Sequence, residues 1–273
     1  MTIHETLDLS RTALFVPGIK PERFDKARQS GADLVILDLE DSVLDADKDI
    51  ALSNVLEALK TNLLSAGCPL IVRVNSDRLS QEIPSLIDAS NTNPNLIAIL
   101  VPKVELVENL PSLPKNLSLI GIVESGLGLK NVDELAADPR VHKLAFGGMD
   151  FAAEMGSHSP VLHDHAKVRI LLASITAGIS RPWDSPSADI KNLDAVLAEA
   201  KHASELGFGG KLVIHPAQVE PVHQAFEVSL EKIEWARTVL ASTEGAAQVE
   251  GQMVDKPIML QAKGILKRAG LGI

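Results

Sequence analysis

Short apolar runs recur along the chain, and a stretch with helical spacing follows each one. The runs occupy residues 12–16, 34–39, 69–74, 96–101, 119–123, 143–146 and 211–214, with a weaker one in ISRPWDSP, residues 179–186. They are near-continuous rather than alternating, as parallel strands covered on both faces require. Pro21 opens a helix that Gly31 stops, and a second helix runs to about Ala66. A short helix precedes residue 96, residues 168–178 are helical, and 193–206 form an amphipathic helix stopped by Gly207. Helices then continue to about Ser242. Eight strands alternating with eight helical patterns predict a (β/α)8 TIM barrel, a single α/β domain over residues 1–242. Periodicity does not reveal closure, so an open doubly wound parallel sheet is the alternative. Residues 243–273 are a loop and one more helix that a barrel does not need. They are expected to form a C-terminal helical lid, on their own barrel or on a neighbouring subunit.

Composition narrows the role. The net charge of -10 disfavours nucleic acid or a membrane surface as the main partner. One cysteine, Cys68, allows no intramolecular disulfide and no multi-cysteine metal site. It fits a reducing compartment. The N-terminus lacks a basic region followed by an apolar stretch, and no apolar run approaches the roughly 18 residues of a membrane span. The expectation is a cytoplasmic protein.

Polar groups collect where the strands end: Asp38, Glu40, Asp41, Arg73, Asn75, Lys103, Glu124, Asp150 and His215. In a barrel these ends converge on one mouth. Glu124 and Asp150 follow successive strands, and two hard oxygen donors with open positions suit magnesium. Each also has a plainer reading: Asp150 as a helix cap, Glu124 as an acceptor of nearby N–H groups. Asp38 and Glu40 share a strand side and point into the mouth, or else pair with Arg73. Arg73 offers a fork for a carboxylate or enolate oxygen, or a structural ion pair with those same acids. Lys103, after Pro102, is a candidate for a Schiff base by its position alone. His215 reads as a packed, hydrogen-bonded histidine. His158, His163 and His165 fall in a polar stretch read as a solvated loop. Gly126 and Gly128 make no dinucleotide fingerprint, because Asn131 takes the third glycine position. Asp255, two residues before Pro257, reads as a helix N-cap.

Taken in order, the segments RTALFVPG, GADLVILDLEDSV, IVRVNS, ILVPKVE, IGIVESGLGLKNVDELA, LAFGGMDF, LGFGGKLVIHPAQV and GQMVDKP resemble the citrate lyase beta-subunit-like family of the HpcH/HpaI aldolase group. The resemblance covers nearly the whole chain. It implies a (β/α)8 barrel with a C-terminal lid, assembled as a trimer or a hexamer. It also implies magnesium-dependent cleavage or formation of a C–C bond next to a CoA or acyl-carrier thioester. Carried over by position, Glu124 and Asp150 become the magnesium ligands, and Arg73 the holder of substrate and enolate oxygens. Asp255 becomes the lid aspartate that reaches a neighbouring subunit's site and exchanges a proton with the acetyl carbon. Glu40 and Asp41 match an acidic pair near the site. Two departures bear on the substrate: Lys167 stands where arginine is usual, and RPWDSP departs from the usual seventh strand.

The expected reaction is cleavage of a citramalyl or citryl thioester to an acetyl thioester and pyruvate or oxaloacetate, with Glu40 a candidate base. Malyl-CoA is the nearest rival substrate. A metal-dependent aldolase of free hydroxy-oxoacids, a Schiff-base aldolase at Lys103 and a non-catalytic CoA-metabolite-binding barrel are the other readings.

Overall fold

The eight apolar runs are strands, and they close on themselves. In the computed structural model, which describes residues 2–61, 68–242, 248–249 and 252–271, they are β1 (Thr12–Pro17), β2 (Leu34–Asp38), β3 (Leu70–Arg73), β4 (Leu96–Val101), β5 (Ser118–Val123), β6 (Val141–Phe146), β7 (Ser180–Asp184) and β8 (Gly210–Val213). Every neighbouring pair is parallel, and β1 returns to β8 with Ala13 opposite Leu212. The doubly wound alternative is excluded. The chain divides into two units, Met1–Ala225 and Phe226–Ile273.

The side-chain period of two separates the barrel's inside from its outside. Leu34 and Ile36, Ile71, Ala98 and Leu100, Ile120 and Ile122, Ala145, Trp183 and Leu212 form one buried cluster inside it. Each buried leucine or isoleucine among them contributes about 1.5–3 kcal/mol through water exclusion. The next inward positions towards the strand C-termini are Asp38, Arg73, Glu124, Gly147, Ser185 and Ile214. One alternation therefore fills the core and aims polar groups into the mouth. At the other end the helix Ile3–Leu9, started by a Thr2–Glu5 capping box, inserts Leu7 into the cluster. Trp183 Nε1 donates 3.0 Å to Ser10 O there.

The opposite parity carries a buried ion cluster. Asp184, next to inward-facing Trp183, lies 3.0 Å from Lys211 Nζ and 3.0 Å from Lys167 Nζ. Burial opposes its ionisation, but the two ammonium groups outweigh that and hold the carboxyl below its ordinary value. Two features that set this chain apart in sequence, Lys167 and the RPWDSP strand, thus meet in one ion pair.

Several helices differ from expectation. The helix after β2 is Lys48–Lys60; residues 62–66, also expected to be helical, lie outside the described residues. The helix before β4 is Leu79–Thr92 and not short. The helix expected from 168 begins at Pro160, so His163 and His165 are helical. Pro160 at the first helical position is the signal that marks this start. Gly207 stops Leu193–Leu206 with φ 108°, a conformation that suits glycine.

In the second unit, helices Leu230–Ala241 and Lys256–Arg268 share a core of Ala236, Val239, Val254, Ala262 and Ile265. The helix Leu230–Ala241, assigned to the barrel domain by sequence, groups with the tail. Among the described residues no helix is long and apolar enough to cross a membrane.

Candidate active site

A cavity of about 280 Å³ opens at the strand C-termini, lined by Phe15, Pro17, Asp38, Asp41, Ser42, Arg73, Ile122, Glu124, Gly147, Met149, Asp150, Ser185, Pro186, Leu212 and Ile214. Most of these are the inward positions identified above. The lining residues all belong to the barrel unit.

Arg73 is fixed by acids. Its Nε and Nη2 donate to the two oxygens of Asp38 at 2.6 and 2.8 Å, and Nη1 donates to Asp41 Oδ2 at 3.0 Å. Glu40 Oε2 is 2.8 Å from Nη1 as an ion pair without a hydrogen bond. The guanidinium also lies 4.6 Å from the centre of the Phe15 ring. Burial opposes the ionisation of Asp38, but the Arg73 fork and the Ser42 hydroxyl outweigh it and lower its pKa. Arg73 is thus a structural ion pair, and it also lines the cavity. Glu40 lines the adjoining recess with Asp45, Lys48 and Asp77. Burial pushes its pKa to about 7 against the pull of Arg73, and Asp41 and Asp38 add to the rise. That value suits a group that takes and returns protons near neutrality.

Glu124 sits one position past the end of β5, buried. Its Oε1 accepts the Lys103 N–H at 2.8 Å. Burial, with Asp150 and Glu40 nearby, pushes its pKa up to about 8. Gly147 leaves it room, because a Cβ there would lie 2.2 Å from Glu124 Oε2. Asp150 is exposed in the first turn of helix Gly148–Met155, whose N-cap is Gly147, so Asp150 is not the cap. Ser185 Oγ accepts the Gly148 N–H at 3.0 Å and ties that turn to β7. Nothing in the sequence reading singled out Gly147 or Ser185; the Gly147-Gly148 pair was the available signal.

The remaining expected groups fall elsewhere. The Lys103 side chain is exposed and lines a separate recess with Asp77 and Glu105, so its main chain, not its amine, faces Glu124. His215 is exposed and caps the turn Pro216–Gln218, with Nδ1 accepting the Ala217 N–H at 3.2 Å. Asp255 is in the second unit, where Oδ1 accepts the Ile258 N–H at 3.0 Å as a helix N-cap.

The electrostatics of the mouth call for a cation. Asp38, Asp41, Glu124 and Asp150 line the cavity against one guanidinium. Among the described residues no group of three or more His, Cys, Asp or Glu is gathered to hold a metal. Two carboxylates with space beside them suit an ion that keeps water or substrate oxygens in its shell, as magnesium does.

A profile of the HpcH/HpaI aldolase/citrate lyase family matches residues 11–216. The chain belongs to this family. A second profile, C–C bond lyase of the TIM-barrel fold, matches residues 162–271. The chain is 35% identical over 269 residues to a citrate lyase subunit beta-like protein of Mycobacterium tuberculosis, with 94% of each chain covered. It is 32% identical over 303 residues to an L-malyl-CoA/beta-methylmalyl-CoA lyase of Cereibacter sphaeroides, covering 95% of this chain and 94% of that one. Among solved structures it is similar to CitE of Mycobacterium tuberculosis in complex with magnesium, acetoacetate and coenzyme A. The TM-score is 0.76 and the identity 32%, over 96% of this chain and 98% of that one. The HpcH/HpaI barrel is thus a lyase scaffold, and its relatives have been seen with the cation that the acid-rich mouth suits.

Proposed function

We propose that this HpcH/HpaI protein is a magnesium-dependent C–C lyase that cleaves a 3-hydroxy-3-carboxyacyl-CoA to acetyl-CoA and an oxoacid, with citramalyl-CoA the preferred substrate. The observation that carries this reading is the buried Glu124 carboxylate beside Asp150 in a cavity that also presents Arg73. The similar structure that holds magnesium, acetoacetate and coenzyme A supports the cation and the thioester class.

Glu124 and Asp150 would hold the ion. When bound, magnesium polarises the substrate's hydroxyl and carboxylate oxygens. Glu40, titrating near neutrality, takes the hydroxyl proton. The C–O bond becomes the carbonyl of the departing oxoacid, and the C–C electron pair moves onto the thioester as an enolate. Arg73, already oriented by Asp38, donates to the enolate oxygen. The apolar lining from Phe15, Ile122, Leu212 and Ile214 excludes water from that carbanion equivalent.

Protonation of the enolate carbon falls to Asp255 from the C-terminal segment of a neighbouring copy in a trimer or hexamer. Asp38 and Asp41 pair with Arg73, and Glu124 and Asp150 stand at the metal position; the assignment to Asp255, which is exposed and caps a helix, rests on the family resemblance. Malyl-CoA is the second substrate reading, favoured by the similarity to the malyl-CoA lyases.

The test is a panel of citramalyl-, citryl- and malyl-CoA with magnesium, each scored for acetyl-CoA or its oxoacid partner. The expected order puts citramalyl-CoA first. Turnover of malyl-CoA alone would reassign the substrate, and no turnover of any thioester would remove the lyase reading.

A further inference from the structure

Among the described residues, Lys103 is the one non-glycine residue with a positive φ, at 51°. A side chain in this left-handed region crowds its own main chain, and such strain persists only where the surroundings impose it. The Lys103 side chain is exposed, so its own packing does not impose the conformation. The main chain is held on both sides: Lys103 N–H donates 2.8 Å to Glu124 Oε1, and the next residue, Val104, donates its N–H 3.0 Å to Ile122 O. On its other side Oε2 lies over Gly147, in space that a Cβ there would take.

We infer that Lys103 is a positioning residue that acts through its backbone. The left-handed turn aims its N–H at Glu124 Oε1. With Oε1 held and Oε2 lodged over Gly147, the carboxylate keeps one orientation, with its remaining lone pairs available to a divalent cation in the cavity. The ammonium group has no part in this. The inference rests on the reading that Glu124 holds the metal.

The experiment compares Lys103→Gly, Lys103→Ala and Lys103→Val. All three lack the ammonium and differ in how readily they adopt a positive φ: glycine freely, alanine at a cost, valine at the greatest cost. Manganese(II) affinity is read by electron paramagnetic resonance on each purified variant, with thermal unfolding alongside and Glu124→Gln as reference. The glycine variant is expected to bind within about twofold of wild type, and the valine variant about tenfold or more weakly, with alanine between. In a Glu124→Gln background the ranking should vanish. Should valine fail to fold, Lys103→Thr, also β-branched, takes its place in the ranking.

Equal affinity across the three variants, even with altered melting temperatures, would reduce the turn to a structural feature and overturn the inference. A glycine variant as weak as valine would place the effect in the lost ammonium and also overturn it. If wild type and Glu124→Gln bind manganese alike, the metal reading itself fails, and this inference fails with it.

Discussion

Gly147→Ala is expected to lower metal-dependent turnover on the order of a hundredfold while the barrel still folds. The added methyl would lie 2.2 Å from Glu124 Oε2, 2.5 Å from Glu124 Cβ and 2.9 Å from Ile122 Cγ2. Backbone conformation is not at issue, since Gly147 has φ -99°, which alanine adopts freely. The collision alone must be relieved. The two closest approaches are both to Glu124, so Glu124 is the side that gives. Overpacking of this kind costs about 1–3 kcal/mol in stability. The check pairs steady-state kinetics with chemical denaturation: a large loss of kcat/KM beside a small loss of stability. Wild-type turnover in Gly147→Ala would show that the carboxylate's position is not critical.

Arg73→Met is expected to damage both stability and activity, for different reasons. Asp38 is 1% exposed and depends on the Arg73 fork. Without the guanidinium it is an unpaired buried carboxylate, and breaking such a pair costs about 3–5 kcal/mol. Activity should fall on the order of a hundredfold or more through loss of the enolate donor. The double variant Arg73→Met/Asp38→Asn separates the two effects. Removing the orphaned charge should restore much of the stability, read by urea denaturation, and none of the turnover. A double variant that regained activity would assign Arg73 to structure alone.

Much of the architecture was legible because two periods are written into the chain. The continuous apolar runs and Gly207 located strands and helix ends closely: Leu96–Val101 and Leu193–Leu206 match their sequence limits. The weak seventh run was hard to read because its hydrophobic anchor is one buried tryptophan, Trp183, with its charged neighbour Asp184 neutralised by lysines from β8 and a helix. Closure was not legible, because it resides in the pairing of β1 with β8, which no local pattern encodes.

The site divides in the same way. Strand-end polarity pointed to Asp38, Arg73, Glu124 and Asp150, all of which line the cavity: the first three because inward parity continues from the core into the mouth, Asp150 from the first turn of the helix after β6. It considered Lys103 for its amine, whereas the backbone of that residue makes the contact with Glu124. It passed over Gly147, because the meaning of a missing side chain depends on what lies across from it. Asp255 was drawn from resemblance, and its local sequence explains only the cap it forms.

Bond cleavage is proposed to depend on a cation held by Glu124 and Asp150. The most direct test is mass-spectrometric detection of acetyl-CoA and pyruvate formed from citramalyl-CoA by the full-length protein, with magnesium, with EDTA, and with the Glu124→Gln variant. The account predicts both products in equal amounts with magnesium, none with EDTA until magnesium is restored, and none from Glu124→Gln at any magnesium concentration. Cleavage that continues in EDTA, or that survives Glu124→Gln, would contradict it.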